Sequence, residues 1–365
     1  MIQKFTKKKF ETMSSTFSLL FLLLAVPLIA QAGFVKTCGR DFCVDGKKWV
    51  PVGFNAYWLG LDEAYQHPSW KRIEEMFQVA KKMSATAIRS HTVGHSSGSK
   101  PSLRPWDRNL NNDAWKSIDT AIYLANKYNV RLVVPLTDNY WWFNGNYGDY
   151  AKARGLSKKD FWTNRALIDD FKDYINKYLN HVNQFSGIAI KDDPAIFLIE
   201  TGNELGNIRN QDNSVPPKAW IQEISDYIRS IDKNHLILDG VDESLGQSDN
   251  FHIPSINVYS RHFYSEDYEA LHARAADAAK VGKPLIVGEF SSHCSDNWLR
   301  LMEKEENVKG TFFWSMYGHD DNGQWIRHDD GFTLYYKEGS SYNNLLKLAN
   351  HARRMQGLSE ISSLP

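Results

Sequence analysis

The chain has 365 residues, 42% of them hydrophobic and 24% charged, which excludes a disordered protein and is ample for a large buried core. Lys plus Arg and Asp plus Glu both number 43, so no charge excess points to nucleic acid or an anionic membrane surface as a partner. Aromatic residues make up 13%, several of them clustered as in NYWWFNGNYGDY (139–150), and such rings are candidate platforms for an uncharged ligand.

At the N-terminus, Lys4, Lys7, Lys8 and Lys9 precede the apolar run FSLLFLLLAVPLIA (17–30), and Ala30-Gln31-Ala32 supplies the small residues that a signal peptidase reads. Residues 1–32 are therefore expected to be a secretory signal. The run is short for a membrane span and is interrupted by Pro27, and no later segment reaches about 18 apolar residues. The mature chain is expected to be extracellular, with no membrane association. Cys38 and Cys43 flank GRDF, a plausible hairpin tip; in an oxidising compartment they could bridge, which would leave Cys294 over.

Beyond the hairpin (34–52), strand-like and helix-like segments alternate. The strand candidates are VGFNAYW (52–58), ATAIRS (85–90), RLVVPL (131–136), AIFLIE (195–200), HLILDG (235–240), INVYSRHFY (256–264), PLIVGEF (284–290) and GTFFWSM (310–316). Several are continuous apolar runs, as parallel strands covered on both faces should be. Amphipathic helix candidates such as WKRIEEMFQVAKKM (70–83), DAWKSIDTAIYLANKY (113–128) and IQEISDYIRSI (221–231) lie between them. Eight strand-then-helix units predict an α/β fold, a (β/α)8 TIM barrel formed by a single domain over 33–365, with an N-terminal β-hairpin. A doubly wound open sheet is the alternative; the GxGxxG and GxxxxGK[ST] motifs of its nucleotide-binding forms are absent.

In such a barrel the C-terminal strand ends build the catalytic mouth, so a carboxylate following an apolar strand is delivered to substrate by a rigid element. Glu204 in IFLIETGNELG and Glu289 in PLIVGEF both fit. Two carboxylates in one mouth suit glycosidic cleavage, one protonating the leaving oxygen while the other attacks the anomeric carbon. Glu200, also at a strand end, reads as a structural group paired with a base. Trp58, which closes the first strand, and Trp141 and Trp142 are candidate sugar platforms.

FNAYW, the IR of Arg89, TGNELG, RHFY, VGEF and FFWS follow in the order and spacing of glycoside hydrolase family five, and the chain resembles its endo-β-1,4-mannanases over nearly all of 33–365. The resemblance implies Glu204 as acid/base and Glu289 as nucleophile of a retaining enzyme. It further implies that Asn203 binds the sugar 2-hydroxyl, that Arg89 keeps Glu289 ionised, that Tyr264 orients Glu289, and that His262 lies beside the acid/base. Trp314 would form the floor under the sugar. Glu204 is expected to have a raised pKa, because its partner is charged. The implied partner is a polysaccharide, β-mannan or a related β-glycan, cut by a monomer without metal or other cofactor. LIETGNELG lacks the proline and tryptophan frequent at that strand in mannanases, which leaves a β-1,4-glucanase or a non-catalytic sugar-binding barrel as alternatives. The polar segment 319–336 is longer than a minimal last loop and either shapes a subsite or caps the barrel. His91 and His95 are spaced as metal ligands can be, but substrate contact or loop packing suits them better.

Overall fold

Strands that are apolar on both faces need cover on both sides, and closing their sheet into a cylinder wrapped by helices supplies it. The computed structural model describes residues 33–141, 145–206, 214–241 and 248–365. Eight parallel strands form the barrel, in chain order Val52–Asn55, Ala87–Arg89, Arg131–Pro135, Ile196–Glu200, Leu236–Asp239, Val258–Phe263, Leu285–Ser291 and Val308–Trp314. The eighth pairs with the first, Thr311 opposite Val52, and closes the cylinder. The (β/α)8 reading therefore holds. These elements all belong to one compact unit, Ala32–Pro365. The signal reading of residues 1–32 lies outside the described residues.

Seven of the strands are followed by an α-helix, such as Trp70–Lys82, capped by Ser69, and Trp115–Tyr128, ended by Asn129 in the left-handed region at φ 50°. The expected regularity breaks at the fifth unit. Among the described residues, Leu236–Asp239 is followed only by the single 3-10 turn Ser248–His252 before the sixth strand begins at Val258.

The core has two layers. Outside the barrel, strands and helices share one large apolar cluster. Inside it, Ala87, Val133, Phe197, Leu236, Val258, Ile286 and Phe312 form a smaller one, stoppered from below by Phe42. The stopper is carried on a three-stranded antiparallel sheet, Lys36–Cys38, Asp41–Val44 and Lys47–Trp49, one strand more than a simple hairpin. Phe42 and Trp49 both meet the Phe197 ring edge-on, at 5.1 and 4.8 Å. Cys38 and Cys43 are joined as a disulfide across the tight turn, while Cys294 is buried and unbridged. No helix of the described residues is long and apolar enough to cross a membrane.

If Phe42 seals the barrel floor, Phe42→Ala should cost about 3–5 kcal/mol in urea unfolding, because the rigid strands around it cannot collapse into the space left. A loss under about 1 kcal/mol would mean that the small sheet is only an ornament.

Candidate active site

The second strand ends on Arg89, whose side chain is almost fully enclosed at 2% exposure. A buried guanidinium has to spend all its N–H groups, and this one does. Nε and Nη2 grip both oxygens of Glu200, each at 2.9 Å. Nη2 also donates to Asn203 Oδ1 at 2.8 Å, and Nη1 to Glu289 Oε1 at 2.8 Å, Asn55 Oδ1 at 3.0 Å and His91 Nε2 at 2.9 Å. Burial alone would lower the Arg89 pKa, but the charges of Glu200 and Glu289 outweigh it and raise it. Glu200 is thus the structural counter-ion expected of it, closing the fourth strand opposite Pro135 of the third.

Glu289 lies within the seventh strand, where the register against the eighth shifts between Val287 and Phe290. Such irregularities re-aim side chains. Its second oxygen accepts from the Tyr264 hydroxyl at 2.7 Å. Gly288 makes the neighbouring approach feasible, since a Cβ there would stand 2.7 Å from Nε2 of His262.

Glu204 reaches the mouth differently from the simple strand-end picture. The fourth strand stops at Glu200, and the chain continues extended through parallel bridges from Asn203 to Asp138 and from Leu205 to Val241. Between those bridges Glu204 adopts φ 47°, a left-handed conformation that costs a non-glycine residue about 1–2 kcal/mol and that its fixed neighbours impose. Its Oε1 lies 2.6 Å from Nδ1 of His262, which is also 3.5 Å from Glu289 Oε2. One oxygen of each glutamate and the His262 nitrogen all lie within 4.8 Å of one another. A cation could in principle be held by such a set, but both Glu289 oxygens already accept from Arg89 and Tyr264.

The charge states run against one expectation. Burial pushes the Glu204 carboxyl up, but the hydrogen bond and charge of His262, with help from Tyr140 and Arg89, reverse this and hold it at about 2. His262 moves the other way: burial lowers its pKa, and the two glutamates raise it above the usual value. The proton expected on Glu204 therefore sits across a short bond on its partner.

The mouth also holds a group that no sequence motif singled out. Asp138, two residues past Leu136, takes hydrogen bonds from Tyr140 N and from Asn203 Nδ2, and burial raises its pKa to about 7. His91 links it to Arg89. Burial and the Arg89 charge hold His91 neutral, with a pKa of about 3. Because Arg89 can only donate to Nε2, the proton of His91 is on Nδ1 and points at Asp138 Oδ2, 2.9 Å away. His91 is thus a polar strut; His95, its partner in the metal-like spacing, stacks instead on Tyr150.

Of the aromatic candidates, Trp314 ends the eighth strand and lies nearly parallel to Tyr57, planes 10° apart and centroids 5.5 Å apart. Its indole N–H donates to Asp330 Oδ2 at 2.6 Å. Trp58 is a correction. It is fully buried, stacked on Tyr317 at 4.6 Å with its N–H bonded to Met316 O, so it offers no face to a sugar. Past Asn55 the chain leaves the strand, and Tyr57 rather than Trp58 takes the place beside Trp314. Trp141 is 66% exposed, and Trp142 lies outside the described residues.

Residues 148–273 match the family model described as GH family 5 beta-mannosidase-like. Mannan endo-1,4-beta-mannosidase 7 of Arabidopsis thaliana is 29% identical over 305 residues, covering 73% of this chain and 70% of the relative. Mannan endo-1,4-beta-mannosidase 4 of Solanum lycopersicum is 25% identical over 367 residues, covering 86% and 90%. The crystal structure of the endo-1,4-beta-mannanase from Rhizomucor miehei superposes with a TM-score of 0.76 at 25% identity, covering 89% of this chain and all of that one. Barrel, mouth and relatives together define a glycoside hydrolase. The chain is similar to glycoside hydrolase family five, through the family model over residues 148–273 and the mannanases above.

Glu200→Gln should destabilise the protein by about 3–5 kcal/mol, because it removes half the counter-charge of a buried guanidinium. Equilibrium denaturation would measure it, and an unchanged midpoint would show that Arg89 does not depend on Glu200.

Proposed function

We propose that the protein is a secreted mannan endo-1,4-beta-mannosidase that retains anomeric configuration by double displacement. Glu289 attacks the anomeric carbon as the bond to the leaving sugar breaks, and the proton on the Glu204–His262 pair passes through Glu204 to the leaving oxygen. In the second half, Glu204 takes a proton from water, whose oxygen attacks the same carbon and frees Glu289. Arg89 and Tyr264 hold Glu289 as an anion aimed at the sugar, and Asn203, fixed by Arg89 and Asp138, turns its amide N–H toward the 2-hydroxyl. Trp314 supports the apolar face of the ring.

One observation carries this reading: an oxygen of Glu204 and an oxygen of Glu289 lie within 4.8 Å of each other. That is close to the separation of about 5–5.5 Å found in retaining enzymes, and too small for the water that an inverting pair admits at about 6.5–9.5 Å. Mannan is favoured over glucan because the relatives described above are named mannosidases and mannanases. Secretion rests on the basic and apolar pattern of residues 1–32 and accords with a disulfide at Cys38–Cys43.

Proton NMR of early products from a manno-oligosaccharide should show the β-anomer first, relaxing later to the mixture; early α-anomer would refute retention. Glu289→Ala should lower kcat by at least about a thousandfold while leaving KM close to that of the parent. On a panel of mannan, glucomannan and carboxymethyl cellulose, reducing ends should appear from the first two; release from cellulose alone would make the protein a glucanase.

A further inference from the structure

The last loop, 319–336, is bound to the site by charge. Asp330 divides its two oxygens between two tasks. Oδ1 accepts from the backbone N–H of Phe332 at 2.8 Å, the backbone N–H of Thr333 at 2.9 Å and the Thr333 hydroxyl at 3.0 Å, which fixes the carboxylate within its loop. Oδ2 is left to face the indole N–H of Trp314 at 2.6 Å and Nε2 of His328 at 3.2 Å. The other ring nitrogen of His328 lies 2.9 Å from Glu63, on the loop that follows the first strand. His328 is thus nearly buried between two carboxylates from opposite ends of the chain, with 9% of its side chain exposed. The rings of Tyr57 and Tyr317 pack against it at 5.5 and 5.9 Å, and the Tyr335 hydroxyl accepts from its backbone N–H. Arg327 lies over the Tyr335 ring. Tyr57 in turn is the ring that backs Trp314.

We infer that Asp330 and His328 are positioning residues for catalysis: with Glu63 they form a charged clamp joining the first and last loops, and the clamp sets the Trp314 ring under the sugar. The inference rests on Trp314 being the sugar floor. Burial lowers the His328 pKa, but hydrogen bonds to Asp330 and Glu63 overturn this and raise it to about 9, so the clamp is charged across the neutral range. Since the folded value is raised, the clamp is complete below the ordinary histidine value near 6.5 and is lost as pH rises through about 9.

The test is a double-mutant cycle with a pH profile. In Asp330→Asn the amide oxygen must stay on the Oδ1 side, where three donors converge, so the new NH2 faces the indole N–H and the shape is kept while the contact turns repulsive. KM for a manno-oligosaccharide should rise about three- to tenfold, with a smaller change in kcat. Combined with Trp314→Ala, Asp330→Asn should add nothing, because its effect passes through that ring. His328→Gln should behave at pH 7 as the parent does above about 9, and its kcat/KM should lack the parent's step there. A melting curve for each variant reports folding separately. A normal KM in folded Asp330→Asn, a full additional loss on top of Trp314→Ala, or an unaltered alkaline step in His328→Gln would each overturn the clamp. A Trp314→Ala variant with parental kinetics would instead remove the sugar floor on which the clamp acts.

Discussion

Arg89 is the constraint on which the mouth of this barrel depends. A guanidinium taken almost completely out of water would be ruinous without partners, and its fork imposes fixed directions on whatever balances it. Here those directions fall on the end of the first strand at Asn55, the end of the fourth at Glu200, its continuation at Asn203 and the seventh at Glu289. One cation thereby sets the relative positions of elements that are more than a hundred residues apart in sequence. The low dielectric around it strengthens each bond and penalises the loss of any of them.

The same accounting explains the chemistry. Glu200 and Glu289 balance Arg89 with one negative charge to spare, and Glu204 adds another, against which His262 can set only one positive charge. The mouth is left short of positive charge, so it holds protons firmly, on His262 and at neutral pH partly on Asp138. An acid catalyst needs a proton available, not necessarily one resident on its own oxygen. A bond of 2.6 Å between His262 and Glu204 lets the pair act as a single donor. In the proposed double displacement Glu289 becomes an ester and loses its charge, and with it goes the largest of the influences that raise the His262 pKa. With its pKa lowered, His262 stays neutral once its proton has gone to the leaving sugar, and Glu204 is left as the anion that takes a proton from water.

Much of this was legible in the chain. Continuous apolar strands separated by amphipathic helices gave the barrel, because burial on both faces leaves a distinct pattern. Glu289 could be read because it closes a continuous apolar run, whereas Arg89 and Tyr264 came from the resemblance of IR and RHFY to the family. What escaped depends on which loop ends meet. Nothing local distinguishes Asp138 from a solvated loop residue, and the spacing of His91 and His95 suggested only contact or packing, until the third and fourth strands bring Asp138 against Asn203. Trp58 misled because position at a strand end does not fix which way a side chain points once the strand has ended. The raised pKa expected for Glu204 came from weighing one neighbouring carboxylate and omitting an imidazole in direct contact. The role of segment 319–336 was equally hidden, since its meaning lies in contacts to Glu63 and Trp314 rather than in its own pattern.

The central claim is that Glu289 forms a bond to sugar while Arg89 and Tyr264 hold it. Peptide mass spectrometry after brief reaction with a 2-deoxy-2-fluoro mannoside bearing an activated leaving group tests it most directly. The account predicts one added glycosyl group, on the peptide that contains Glu289 and on that residue. A label on Glu204, or full turnover of mannan by an enzyme that never accumulates a labelled Glu289, would contradict it.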